Sequence, residues 1–242
     1  KNFHKRIDSL IVARIGSPSI SIFNNYPINL RRLQINGFDK SSEFNWVSFL
    51  RGQHNIVELV MRINNKPIWN EFYKMRNIQS IILEAVDAVA IISEGIRMGN
   101  WSNLQSISLN QFVNKWSQRR GPNLTPLLDA IGLSNLKIQI LKLRHFGTWN
   151  LTSSSPFRGM DYLKDVVLTP TDVSQEILLR GLTNCTSLLY LNLNHAKMSS
   201  EMIARYLPQM TVHRLLLSNV GLQITKEFVD ALIENQLLRE LD

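Results

Sequence analysis

Five histidines and one cysteine are the side chains of this sequence best suited to metal ligation or nucleophilic chemistry, and their spacing serves neither. His4, His54, His145, His195 and His213 are dispersed, and none stands in an H-E-x-x-H pattern. His145 and His195 hold equivalent places two units apart in a repeat described below, so strand spacing separates them by roughly 10 Å. The ligands of one zinc ion each lie about 2 Å from it, too close for that pair to share a metal. Cys185 has no second cysteine to pair with and reads as a buried structural thiol. A G-x-x-x-x-G-K-S/T phosphate loop and a G-x-S-x-G nucleophile turn are both missing. Nothing assembles a nucleophile, a base and an oxyanion site. The sequence therefore predicts no catalytic residues, no cofactor and no metal, and leaves recognition as the chemistry to look for.

The elements that would position recognition residues repeat along the chain. An apolar residue at positions 1, 4 and 6 of a hexamer recurs, most clearly at Leu188-Leu191-Leu193 and Val212-Leu215-Leu217. Its fourth position falls at residues 10, 33, 59, 81, 107, 141, 166, 191, 215 and 241. Positions 4 and 6 share one side of a short strand because side chains alternate with period 2, and positions 3, 5 and 7 face the other way. Stretches with helical spacing lie between hexamers, at 43–50, 69–75, 86–98, 174–182, 199–207 and 225–233. Ser199, Thr171-Asp172 and Thr225 are suitable N-caps. One strand and one helix cannot bury their own apolar faces, whereas a stack of copies buries them continuously.

This pattern resembles the leucine-rich repeat family over nearly the whole chain. The cleanest match is Leu215-Leu216-Leu217-Ser218-Asn219-Val220-Gly221-Leu222, followed by a helical stretch, Asn235 and the next hexamer, which looks like the ribonuclease-inhibitor-like class. Three residues after position 6, many family members carry a polar ladder residue. Here that place holds Asn64 once, and otherwise Phe38, Val86, Phe112, Phe146, Thr171, Ala196 and Val220, closer to the cysteine-containing class of many F-box proteins. The subclass stays open between the two. The resemblance implies an α/β solenoid of about 10 repeats of ~25 residues. Its curved parallel β-sheet would line the concave side and its helices the convex side.

Composition adds bounds. The 242 residues suffice for one solenoid domain, and their apolar runs are too short for a membrane span of about 20 residues. A lone cysteine favours a reducing compartment, hence an intracellular protein in the cytoplasm or nucleus. Sequons at Asn100, Asn123, Asn150 and Asn184 are expected as chance matches in an Asn-, Ser- and Thr-rich chain. The chain opens on Lys1 and its last hexamer stops short of position 6, so we expect a segment of a longer protein. The net charge is +8, and the excess lies in residues 1–120, with 16 Lys/Arg against 8 Asp/Glu. Basic residues on solvated convex helices would account for it; a field that orients an acidic partner is the alternative.

Two candidate sites follow. The gap of 34 residues between fourth positions 107 and 141 exceeds the others, 22 to 26 residues, by at least 8, and the excess centres on an inserted loop at 116–126. Insertions in repeat arrays map to loops, often on the binding side, which singles out Trp116, Arg119 and Arg120. The segment from Phe146 to Gly159 is expected to replace its helix with a turn-rich connection. On the concave side, positions 3, 5 and 7 would present Arg32, Glu58, Arg62, Glu84, Lys142, Arg144, Asp165, Tyr190 and Arg214. Val60, Ile82, Ile140, Val167 and Leu216 would be exposed apolar anchors among them. Mixed charge suits a protein surface better than a polyphosphate. The expected function is a non-enzymatic protein-binding module. The family resemblance makes the substrate-recognition region of an F-box-type ubiquitin ligase subunit its most concrete form. A nucleic-acid or ribonucleoprotein scaffold using the basic half, or the sensor region of a signalling or immune receptor, are the alternatives.

Overall fold

The apolar rows at positions 1, 4 and 6 form the floor of the molecule. The computed structural model describes residues 7–12, 29–37, 46–62, 66–85, 87–110, 123–144, 157–169, 175–196, 198–218 and 220–242. Ten short strands pair side by side in chain order in one parallel sheet, which does not close into a barrel. They are β1 (Ser9–Val12), β2 (Arg32–Ile35), β3 (Glu58–Met61), β4 (Ser80–Leu83), β5 (Ser106–Asn110), β6 (Ile140–Arg144), β7 (Asp165–Leu168), β8 (Tyr190–Asn192), β9 (Arg214–Leu216) and β10 (Glu240–Leu241).

The register matches fourth position to fourth position at every junction, from Leu10↔Leu33 through Ile107↔Leu141 to Leu241↔Leu215. Leu33, Leu59, Ile81, Ile107, Leu141 and Val166 are fully enclosed, as are Ile35, Met61, Leu83, Leu109, Leu143 and Leu168 at position 6. A one-residue slip would turn both rows out to solvent, so burial pins the register. Backbone hydrogen bonds repeat as strictly. The position-2 carbonyl of each strand accepts from two successive amides of the next, as Asp8 does from Arg31 (2.9 Å) and Arg32 (2.9 Å), and as His213 does from Arg239 (2.8 Å) and Glu240 (3.1 Å).

The helices cover the apolar side of the sheet. They are α1 (Trp46–Arg51), α2 (Lys66–Phe72), α3 (Ala88–Arg97), α4 (Thr125–Leu133), α5 (Gln175–Leu182), α6 (Ser200–Tyr206) and α7 (Lys226–Glu234), with a 3₁₀ turn at Leu207–Gln209. The hydroxyls of Ser199 and Thr225 accept from the amides of Met202 (3.2 Å) and Phe228 (3.3 Å), as expected of N-caps. The expected caps at 171–172 lie outside the described residues. Helix α4 was not apparent in the sequence. Its first two residues, Thr125 and Pro126, are the last two of the expected 116–126 loop. Its low amphipathic contrast hid it, since the run Leu124–Leu133 is apolar almost all round.

Two packing devices tie helices to sheet. At four junctions a buried residue three before position 1 acts as a plug, its carbonyl accepting the position-1 amide: Trp101 from Leu104 (3.0 Å), Met160 from Leu163 (3.1 Å), Cys185 from Leu188 (3.1 Å) and Asn235 from Leu238 (3.3 Å). Cys185 is therefore a structural plug, and burial pushes its thiol up to about 12 with a smaller push from Asp161. Asn235 fills the same slot by donating its amide to the carbonyls of Leu207 (2.6 Å) and Met210 (3.2 Å). The second device is an aromatic block under β3 to β5. Trp69 lies 5.4 Å from Phe72 and 6.4 Å from Tyr73, and Tyr73 lies 5.7 Å from Trp101 between ring centres. Trp101 donates to the Phe72 carbonyl (3.0 Å) and Tyr73 to that of Ile91 (3.2 Å). Gly95 on α3 makes room, since a Cβ there would stand 2.3 Å from the Trp101 ring. Trp69 and Trp101 are thus core, as inter-strand aromatics are expected to be.

Of the segment from Phe146 to Gly159, only 157–159 fall within the described residues, and they form a turn. Phe157 is buried, and Gly159 (φ 79°) lets the turn approach the Gly132 carbonyl at the end of α4.

Candidate binding face

Pleating sends positions 3, 5 and 7 of each strand to the side opposite the described helices, and the matched register lines them into rows. The first row runs Arg32, Glu58, Ser80, Ser106, Ile140, Asp165, Tyr190, Arg214, Glu240. The second runs Gln34, Val60, Ile82, Ser108, Lys142, Val167, Asn192, Leu216. Beside these, Asn110 faces Arg144. Nine of the expected site residues therefore share one face. Trp116, Arg119 and Arg120 lie outside the described residues.

Eight of those nine are engaged with a neighbour. Arg32 pairs with Glu58 (3.4 Å), Arg62 with Glu84 (2.8 Å), Lys142 with Asp165 (2.8 Å), and Arg214 with Glu240 (3.1 Å). Arg214 also lies over the Tyr190 ring, 5.6 Å from its centre. Parallel strands in register place opposite charges within one rung, and each pair gains modestly because most partners stay partly in water. Arg144 is exposed, and no described carboxylate lies within ion-pair distance of it. Glu240 is a member of the face that the sequence reading left out, although it holds position 3 of the tenth hexamer. The Asn192 amide donates to the Tyr190 hydroxyl (3.2 Å), and the Asn194 side chain accepts from the Ser218 amide (2.8 Å), so this corner is preorganised.

The apolar anchors need correction. Val60, Val167 and Leu216 are buried, with only 6%, 3% and 7% of their surface exposed. Val60 sits between the Arg32–Glu58 and Arg62–Glu84 pairs, and Val167 lies beside Lys142–Asp165, so the stems of long charged side chains cover them. Only Ile82 and Ile140 remain half-buried and open to a partner.

A second polar row escaped the sequence reading. Asn55 donates to the Asn29 side chain (2.6 Å), Asn77 to the His54 carbonyl (3.0 Å) and Asn103 to the Arg76 carbonyl (3.1 Å). Each stands four residues before position 4, a regularity visible in the sequence once the hexamers are aligned. These amides tie repeat to repeat along one rim. The convex side carries its own ties. Glu71 takes Lys74 (3.0 Å) and Arg51 (3.5 Å), and Glu176 takes Arg205 (2.9 Å) and the Tyr206 hydroxyl (2.9 Å). Burial pushes the Glu71 carboxyl up, but the hydrogen bond to Lys74 and the charges of Lys74 and Arg51 outweigh it and hold the group below the ordinary glutamate value.

Among the described residues no group of three or more His, Cys, Asp or Glu could hold a metal, and no helix is long and apolar enough to cross a membrane.

The chain matches no family model and no curated protein. Among solved structures it is similar to an internalin from Listeria monocytogenes, a leucine-rich repeat protein, with a TM-score of 0.51 at 14% identity over 93% of this chain and 70% of that one. A protein from Bacteroides fragilis aligns at a TM-score of 0.30 and 11% identity over 70% of this chain and 66% of its own, too weak to argue from. The fold is a leucine-rich repeat solenoid, with the sheet on its concave side. The likeness speaks for that architecture and for neither repeat subclass.

Proposed function

We propose that the chain is a non-enzymatic module that binds a protein partner through the concave face of its sheet. One observation carries this reading. Ten strands in strict register display a wall of alternating charge, amide, hydroxyl and half-buried apolar side chains, with no helix over it among the described residues. At about 4.8 Å per strand the wall is roughly 45 Å long, enough for a peptide, a helix or a globular face. A polyphosphate fits it poorly, because Glu58, Glu84, Asp165 and Glu240 stand among its cations and would repel phosphate. Of the described cations of the basic half, Arg51, Lys74 and Arg97 are exposed on the helical side. An intracellular setting accords with a single, buried, unpaired cysteine.

The test is affinity purification of the protein beside a variant carrying R62E, K142E and R144E, with melting curves to establish that both are folded. A defined protein recovered with the parent and lost with the folded variant supports the reading. An unchanged set of partners overturns it, and nucleic acid recovered alone and released by salt favours the scaffold alternative. Recovery of ubiquitin-ligase subunits would give the finer assignment, the substrate-recognition region of an F-box-type ligase subunit.

A further inference from the structure

The concave wall changes character at its centre. On both flanks the rungs are filled by long side chains locked in pairs. Arg32–Glu58 and Arg62–Glu84 occupy one side, Lys142–Asp165 and Arg214–Glu240 the other. Between them β4 and β5 present Ser80, Ser106 and Ser108, the shortest side chains on the face, with Ile82 and Ile140 half-buried on either side. Short side chains between tall ones leave a recess walled by Ile82 and Ile140; the other open apolar side chain, Ile11, stands at the far β1 edge of the same face.

The charge of the recess is set by what is already spent. Four concave carboxylates, Glu58, Glu84, Asp165 and Glu240, each have a cation at 3.4 Å or less. Arg144, two residues along β6 from Lys142 and opposite Asn110, keeps its guanidinium exposed, with no described carboxylate in reach. A basic segment arriving here would find the two nearby carboxylates, Glu84 and Asp165, occupied. An acidic one would find a free guanidinium.

We propose that this patch, from Ser80 and Ile82 to Ile140 and Arg144, docks an acidic protein segment. It would set a Val, Leu or Ile side chain over the serines against Ile82 and Ile140 and place an Asp or Glu carboxylate on Arg144. The proposal rests on the concave-face reading and narrows it to a place and a partner chemistry. Guanidinium and carboxylate match as paired donors and acceptors, and the apolar contact beside them excludes water and strengthens the pair.

A phage-displayed library of random short peptides, selected on the full chain, tests it. Enriched sequences should carry Asp or Glu near Val, Leu or Ile. Their affinity should fall about tenfold or more with R144E, fall less with R144K, which keeps the charge but not the paired donors, and be abolished by S106W, which fills the recess. R97E, the matched reversal on α3, should change nothing. Melting curves establish that each variant is folded, and R144E, at an exposed site, keeps the test valid if S106W is not. Peptides without acidic residues, peptides that bind R144E as well as the parent, or no enrichment at all would overturn the proposal. If such peptides are still lost with the R62E, K142E and R144E triple variant, the concave-face reading survives without this patch. If they bind that variant too, both fall.

Discussion

At β3 to β5 the two sides of one sheet are made of opposite materials. On the helical side Trp69, Phe72, Tyr73 and Trp101 fill the space completely, and Gly95 is bare so that the Trp101 ring can fit. On the other side the same strands show serines, the half-open Ile82 and ion pairs in water. The first surface is apolar area removed from water and supplies stability. The second contributes little to folding, which leaves its residues free to be chosen for a partner. If this division is real, substitutions on the two sides should move different measurements.

The largest effect is expected on the aromatic side. Trp101→Ala should cost about 3–5 kcal/mol of unfolding free energy in urea denaturation. Gly95→Ala should also destabilise strongly, since its methyl must displace that ring. Neither should alter the partner affinity of the fraction that stays folded; a loss of affinity at full folding would break the comparison. A middle effect is expected at Glu71, where Glu71→Gln should cost about 1 kcal/mol at neutral pH, the partners being exposed. Its folded-state carboxyl is held below the ordinary glutamate value. The stability it contributes is therefore complete above that value and is lost as pH falls through the lowered one. Melting temperature against pH should be flatter below about pH 5 in Glu71→Gln than in the parent. The smallest effect sharpens the contrast. In a double-mutant cycle Arg32→Ala and Glu58→Ala should couple by less than about 1 kcal/mol, because both side chains are partly solvated. A coupling of several kcal/mol would mean that the concave pairs hold the fold together after all.

The rows of the fold were legible in the sequence because burial acts on every repeat alike. All ten fourth positions found from spacing alone are register partners in the sheet. Of the ladder places three residues after position 6, the two described, Ala196 and Val220, are buried. Helices with a clear polar face, such as α3 and α7, were found within a few residues; α4, apolar on most sides, was not. The face was legible only as a roll of residues. Spacing shows that Arg32 and Glu58 share a row, but not that they pair. It shows that Val60 faces the concave side, but not that neighbouring stems bury it. Both facts depend on what stands one strand over, 22 to 34 residues away in sequence.

The doubled backbone hydrogen bonds at each junction have a mechanical meaning. Their direction runs along the solenoid, from strand to strand. Tension applied to the two ends would load them head-on, opening one rung after another rather than shearing many at once. Each rung that opens frees one unit of about 25 residues, roughly 80 Å of chain. Under such a load the molecule would lengthen stepwise, unit by unit, while the units still stacked keep their shape.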